Sequence, residues 1–195
     1  MTINWELPAF RPGIWGVIDK IIGPGATKTE KLVQLYLPLL FSGGVVATGL
    51  YVQSDWSIWQ YVVIALLAVD MVGGVITNAT SAAKRWFFRE GEGFMEHMTF
   101  VAIHLIQIVA FSWAFQAFDI LWIVGVYGFL MGGSALILKT PLYMQRPIAA
   151  TLYAVALLVS LYVFDNPPYL EWFLPILFFK ILISHVLREE PYQPE

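Results

Sequence analysis

The chain contains no cysteine and few charged residues. Only 13% of its 195 residues are charged, about half the share found in a soluble domain. Without cysteine there are no disulfides, no thiolate catalysis and no cysteine metal ligands, and the redox compartment stays open. The net charge is −3 and the eleven basic residues are scattered along the chain. Nucleic acid is therefore excluded as a partner, because the sequence lacks the basic patch that such binding needs.

Apolar residues are what the chain has in excess. They make up 58% of the sequence and fall in continuous runs of roughly 18 to 22, the length of a helix that crosses a ~30 Å hydrocarbon layer. Membrane strands would instead alternate over about ten residues. The sequence therefore predicts an all-α integral membrane protein, a bundle of six transmembrane helices. We place the spans near residues 32–52, 57–82, 94–115, 120–138, 147–164 and 169–187.

The segment before the first span has a different character. Glu6 and Asp19 interrupt it, so we expect no cleavable signal peptide. Apolar residues line one side between Pro12 and Ile22, a run too short to span, which predicts a short amphipathic interfacial helix. Thr27 to Glu30 then has the pattern of a helix N-cap. The predicted divisions are an N-terminal cytoplasmic segment, a transmembrane domain and a short cytoplasmic tail, at residues 1–31, 32–187 and 188–195.

The basic residues predict the orientation. All except Lys180 flank the spans on one side, at Arg11, Lys20, Lys28, Lys31, Lys84, Arg85, Arg89, Lys139, Arg146 and Arg188. The three opposite loops contain Asp55, Asp119 and Asp165 and no basic residue. Short loops rich in lysine and arginine stay cytoplasmic. We therefore expect a multi-pass protein of the cell inner (plasma) membrane with both termini in the cytoplasm.

Polar residues inside the predicted spans gather in the cytoplasmic half. A central aspartate or lysine costs about 2.5 to 3.5 kcal/mol on insertion scales, so each needs a reason. Asp70 and Gln107 lie deepest, about 20 Å from the cytoplasmic edge at ~1.5 Å per residue. Residues spaced for one helix face follow Asp70 along the second span: Gly74, Thr77, Asn78, Ser81 and Arg85. If this face meets the polar sides of spans three and six, it forms a polar pocket.

Three residues of this pocket are the candidates for acid–base chemistry: Asp70, His97 and His104. The candidate binding residues are Asn78, Ser81, Lys84, Arg85, Lys180 and His185. Asp70 has two interpretations, a protonatable group whose pKa is raised by burial or a carboxylate paired with Lys180. Lys180 likewise either pairs or extends its long stem toward the interface.

The spacing of the histidines limits the metal sites that the sequence can form. His97 and His104 are about 10.5 Å apart along a helix axis, which argues against a shared mononuclear site unless the helix is kinked. We assign no metal, and the sequence does not identify a cofactor. One of these histidines with His185 and Asn78 or Asp70 stays an alternative. A haem held by a histidine pair on spans three and six is the weaker alternative.

Three functional classes remain open from the sequence. The first is a lipid-facing membrane enzyme or a lipid or small-molecule binding protein, with membrane lipids as partners, because the polar groups gather in the cytoplasmic half. The loop from Lys84 to Gly93 either anchors the chain at the cytoplasmic interface or binds anionic head groups. The second is a proton-linked carrier that uses Asp70. The third is a noncatalytic subunit or scaffold that works in an oligomer or a membrane complex.

Overall fold

The computed structural model describes residues 1–193, which are mostly helical. In chain order the helices are α1 Ile14–Ile22, α2 Lys28–Tyr51, α3 Ile58–Ala79, α4 Ser81–Phe87, α5 Phe94–Ala102, α6 Leu105–Phe115, α7 Ile120–Lys139, α8 Leu142–Tyr162 and α9 Phe173–Phe178, which continues as a π-helix over Phe179–His185. Two short strands, β1 Thr2–Ile3 and β2 Tyr192–Gln193, pair antiparallel. This pairing brings the two ends of the described chain together.

Five stretches are long and apolar enough to cross a membrane: α2, α3, α5 with α6, α7, and α8. They make the chain compatible with a multi-pass membrane protein, as the apolar runs predicted. The sixth apolar helix is shorter than its predicted span at 169–187, because it consists of 6 α-helical and 7 π-helical residues. At ~1.5 Å per residue this is about 20 Å, less than a ~30 Å hydrocarbon layer.

The short α9 and its π-helical extension lie at the centre of the bundle. Most of their side chains are buried, and α3, α7 and α8 pack around them. Phe173 stacks on Phe111 of α6 with ring centroids 3.9 Å apart. Because protein surrounds this helix on most sides, it needs little apolar surface of its own toward lipid.

Local hydrogen bonds fix where the first long helix begins. Thr27 Oγ1 accepts from the Glu30 amide at 3.1 Å, and Glu30 Oε2 accepts from the Thr27 amide at 2.7 Å. This capping box is the cap predicted from the sequence. It starts α2 at Lys28, a turn earlier than the predicted span.

The predicted second span is broken at Thr80. Thr80 has extended backbone angles, and its side chain accepts from the Ala83 amide at 3.2 Å, which starts α4 as a new helix. The expectation that Ser81 and Arg85 continue the Asp70 face is therefore wrong, since both belong to α4.

The helix predicted for the third span is also interrupted. α5 ends at Ala102, and the His104 amide donates to Val101 at 3.1 Å, three residues back, before α6 begins. This tightened turn separates His97 on α5 from His104, which precedes α6. The two histidines were expected to share one face, and the turn gives them different surroundings.

Candidate functional site: a polar groove along α3

An ion pair joins α3 to the π-helix at the centre of the bundle. Lys180 Nζ lies 2.8 Å from Asp70 Oδ2, and Gln107 Nε2 donates to the same oxygen at 3.2 Å. The side chain of Lys180 is 3% exposed and that of Asp70 is 46% exposed. The lysine stem passes over Gly74, where a β-carbon would lie 2.8 Å from Lys180 Cδ. The absence of a side chain at Gly74 is what lets Lys180 reach Asp70.

Asp70 opens into a cavity of about 530 Å³ that runs along α3. We call it the α3 groove and define it by six of its polar residues, Gln34, Asp70, Asn78, His104, Gln107 and Lys180. Gln34 of α2, the residues on either side of His104 and residues 20–22 of α1 complete its lining. The groove therefore extends from α1 toward the middle of the bundle.

Several polar atoms in the groove have no partner. Thr77 donates to Gln34 Oε1 at 2.8 Å, yet Gln34 Nε2 and Asn78 Nδ2 are buried with no hydrogen bond to any described residue. Gln107 Oε1 is buried and unpaired as well. Buried polar groups are normally hydrogen-bonded, so the groove wall holds two unused amide donors and one unused acceptor.

His104 is the histidine that the structure brings to Asp70 and Asn78. It is buried in the groove wall, and its Nδ1 lies 2.8 Å from the Phe100 carbonyl oxygen. With the Nδ1 proton donated to that carbonyl, a neutral ring leaves Nε2 as an acceptor.

His97 lies outside the groove, with His185. Their rings meet with His97 Nδ1 3.3 Å from His185 Nε2, and they border a separate cavity of about 300 Å³. Phe100 stacks on His185 with centroids 3.9 Å apart and lines both cavities. The histidines of the single pocket expected from the sequence therefore lie in two cavities, which share Phe87, Phe100 and Ile103 as lining residues. Within residues 1–193, no three His, Cys, Asp or Glu side chains are grouped so as to hold a metal ion.

Lys84 has a structural set of contacts. Its Nζ donates to the Ser184 carbonyl at 2.7 Å and the Leu187 carbonyl at 2.6 Å, and Glu189 Oε2 lies 3.9 Å away. Burial lowers the pKa of Lys84 to about 8, an effect that the Glu189 carboxylate opposes and Arg146 reinforces. Lys84 thus ties α4 to the end of the π-helix and does not line the α3 groove.

Ser81 and Arg85 lie together in a third cavity, of about 370 Å³, beside the start of α2 and strand β2. Of the nine candidate residues, the structure brings Asp70, Asn78, His104 and Lys180 into one site. It places His97 with His185, and Ser81 with Arg85, in two others.

Sequence reasoning missed Gln34. This glutamine interrupts an apolar stretch of α2, and that interruption was the available signal. Its use in the groove depends on how α2 packs against α3, which hydropathy does not specify.

The groove combines an ion pair, unused hydrogen-bond donors and an opening along α3, an arrangement that can donate hydrogen bonds to a polar group. Comparison of the chain with protein-family models, with curated proteins and with solved structures finds no match.

Proposed function

We propose that the protein is a six-helix membrane protein that binds the polar group of a lipid-soluble, amphipathic molecule in the α3 groove. The observation that carries this proposal is the pair of buried, unpartnered amide donors, Gln34 Nε2 and Asn78 Nδ2, beside the Asp70–Lys180 ion pair. The fitting ligand has an acceptor oxygen, such as a carbonyl, hydroxyl or ester oxygen, attached to an apolar body.

The topology of the proposal is six membrane-inserted helices with both termini cytoplasmic. The β1–β2 pairing supports it, because chain ends on one side of a membrane imply an even number of crossings. The basic residues support the orientation, since α4 and the loop after it carry Lys84, Arg85 and Arg89 at the end of the bundle where the termini meet.

The interfacial placement of α1 belongs to the same proposal. Ile14, Trp15, Val17 and Ile21 are exposed on this helix. Asp19 is turned inward, where hydrogen bonds from Arg11 lower its pKa. An apolar face without a protein partner on a short helix fits the boundary between head groups and acyl chains. There α1 would close the end of the groove.

Binding fits the groove better than acid–base catalysis or proton transport. Lys180 and Gln107 both bond to the same oxygen of Asp70, so this carboxyl group is engaged in joining α3 to the π-helix and to α6. A proton-linked carrier would also need a polar path to the other end of α3. Residues one and two turns from Asp70 in that direction are Leu66 and Val63.

The test is retention of a ligand by the purified full chain. We expect a solvent extract of the detergent-purified protein to contain one lipid-soluble molecule with an acceptor oxygen, near one per chain by mass spectrometry. Asn78→Leu and Gln34→Leu should each lower its amount about tenfold, the loss of a hydrogen bond worth ~1.4 kcal/mol. Gln145→Leu, on α8 outside the groove, is the matched control and should retain it. Equal retention by all four proteins, or an empty wild-type extract, would contradict the proposal.

A further inference from the structure

Arg85 is the most deeply buried arginine of the chain that the structure describes, at 1% exposure. It lies on α4 and lines the 370 Å³ cavity introduced above, which we call the Arg85 cavity. Thr29 of α2, Ser81 of α4 and Tyr192 of β2 share its wall. Thr29 and Tyr192 are exposed, so the cavity opens outward at the end of the bundle where the termini meet.

The guanidinium group of Arg85 has no hydrogen-bond or ion-pair partner among the described residues. Its Nε and Nη1 are buried without a hydrogen bond, and Arg85 forms no ion pair within residues 1–193. Arginine stays protonated in proteins, and a buried charge without a partner is strongly destabilising. Lys84, its neighbour, shows the contrast, because two carbonyl oxygens satisfy its ammonium group.

Glu30 lies in the same wall but is committed elsewhere. Its Oε2 accepts from the Thr27 amide at 2.7 Å and its Oε1 accepts from the Ala82 amide at 3.2 Å. These bonds cap α2 and fasten it to α4. No contact within 4.0 Å joins Glu30 to Arg85, so the carboxylate does not serve as the arginine's counterion.

Other donors converge on the cavity. Ser81 precedes Arg85 by one helical turn on the same side of α4, and Thr29 lies in the first turn of the 24-residue helix α2. Neither hydroxyl makes a side-chain hydrogen bond to another described residue. The first turn of a helix also favours negative charge through its free amides and dipole.

We propose that the Arg85 cavity binds a phosphate-type oxyanion, with the Arg85 guanidinium as its charge partner and the Ser81 and Thr29 hydroxyls as further donors. A guanidinium presents two parallel N–H groups to such an anion, as it does in arginine–phosphate pairs generally. The anion is either free phosphate or the phosphodiester of an anionic lipid head group, in which no choline offsets the negative charge. This site is separate from the α3 groove, so anion binding at Arg85 does not depend on the ligand proposed for the groove.

The first arm of the test uses inorganic phosphate. The full chain in uncharged detergent is titrated with phosphate against chloride at equal ionic strength, and thermal stability is measured. Phosphate should stabilise the wild-type protein and the Arg146→Met variant, in which an exposed arginine is removed from α8. The apparent affinity of Arg85→Met for phosphate should be at least about tenfold weaker, the loss expected when a charge-assisted contact is removed.

The second arm distinguishes the source of the phosphate group. The same three proteins are placed in nanodiscs of phosphatidylglycerol or of phosphatidylcholine. A lipid head group is identified if phosphatidylglycerol raises the thermal stability of the wild type and of Arg146→Met but not of Arg85→Met. Free phosphate should then have no effect. Stabilisation by free phosphate identifies the soluble anion.

Two outcomes would overturn the proposal: no stabilisation by either probe, or the same stabilisation in Arg85→Met as in the wild type. Arg85→Met should also fold at least as well without ligand, because it removes an unpaired buried charge. If it fails to fold, Arg85→Lys and Ser81→Ala take its place. Lysine keeps the charge but loses the paired N–H geometry, so both variants should bind phosphate more weakly, and unchanged binding in both would refute the site.

Discussion

Lys180 Nζ lies 2.8 Å from Asp70 Oδ2, and the two partners are unequally enclosed. The lysine side chain is almost fully buried, whereas nearly half of the aspartate side chain is open to the α3 groove. Gln107 also donates to the aspartate, while the only described partner of the lysine ammonium is Asp70. The charge of Lys180 therefore depends on the ion pair more than the charge of Asp70 does.

This inequality predicts different costs for the two single substitutions. Asp70→Asn leaves a buried ammonium group without its counterion and should destabilise the protein by about 3 kcal/mol. Lys180→Met leaves a carboxylate that faces the α3 groove and still accepts a hydrogen bond from Gln107, so it should cost less than Asp70→Asn. The measurement is unfolding of the purified protein in detergent.

The double variant completes the cycle. Asp70→Asn with Lys180→Met removes both charges, so its cost should be smaller than the sum of the two single costs. Additive costs would mean that the pair contributes nothing, and Asp70 would then be the better candidate for a lone protonatable carboxyl. The double-mutant cycle thus separates the two interpretations of Asp70 that the sequence left open.

Gly74 provides a second way to disturb the ion pair without changing a charge. A β-carbon at Gly74 would overlap the end of the Lys180 side chain, so Gly74→Ala should push the lysine away from Asp70 and cost about 1 to 3 kcal/mol. At Gly73 the nearest atom to an added β-carbon is Pro38 Cγ at 3.6 Å, an ordinary contact. Gly73→Ala should therefore be neutral or stabilising by about 0.5 kcal/mol. Equal effects at the two glycines would refute the packing described for Lys180.

The sequence predicted the helical membrane class because continuous apolar runs determine it. It also suggested the Asp70–Lys180 contact, from the cost of two intramembrane charges. Both predictions follow from one large free-energy term, the cost of placing polar groups in hydrocarbon. Neither depends on how the helices pack.

The division of the polar residues into three cavities could not be predicted in this way. It depends on the helix break at Thr80, which turns Ser81 and Arg85 away from Asp70, and on the turn before His104. Each break depends on one or two local hydrogen bonds, which replace the hydrogen bonds of a continuous helix. The difference in free energy between the two arrangements is small. Helical periodicity carried through such a break assigns residues to the wrong face.

Lys84 predicts a pH dependence outside the spanning helices. Its pKa is lowered by burial to about 8 from 10.5. The native state therefore holds the lysine proton less tightly than the unfolded state. The cost of burying the charged ammonium group lowers the free energy of unfolding, and this cost is fully present below pH 8. Stability should rise between about pH 8 and 10.5, by at most about 1.4 kcal/mol per pH unit.

The difference between wild type and Lys84→Met isolates this effect from other titrating groups. The wild type should gain stability relative to the variant across that pH window, measured by thermal unfolding in buffered detergent. Lys139→Met removes an exposed lysine from the end of α7, and its difference from the wild type should stay flat. A flat difference for Lys84→Met as well would mean that the buried ammonium keeps an ordinary pKa.

The short final helix gives the sharpest test of the proposed topology. The stretch Phe173–His185 is shorter than a membrane is thick, yet the β1–β2 pairing requires the end of the chain to return to the side of its beginning. The chain has no cysteine, so single cysteines introduced at exposed loop positions can be labelled with a membrane-impermeant maleimide without background. In intact cells, Asp55→Cys and Glu171→Cys should react, whereas Glu90→Cys and Arg188→Cys should react only after the membrane is opened. Reaction of Glu171→Cys and Arg188→Cys from the same side would mean that the final helix does not cross, leaving five spans and termini on opposite sides.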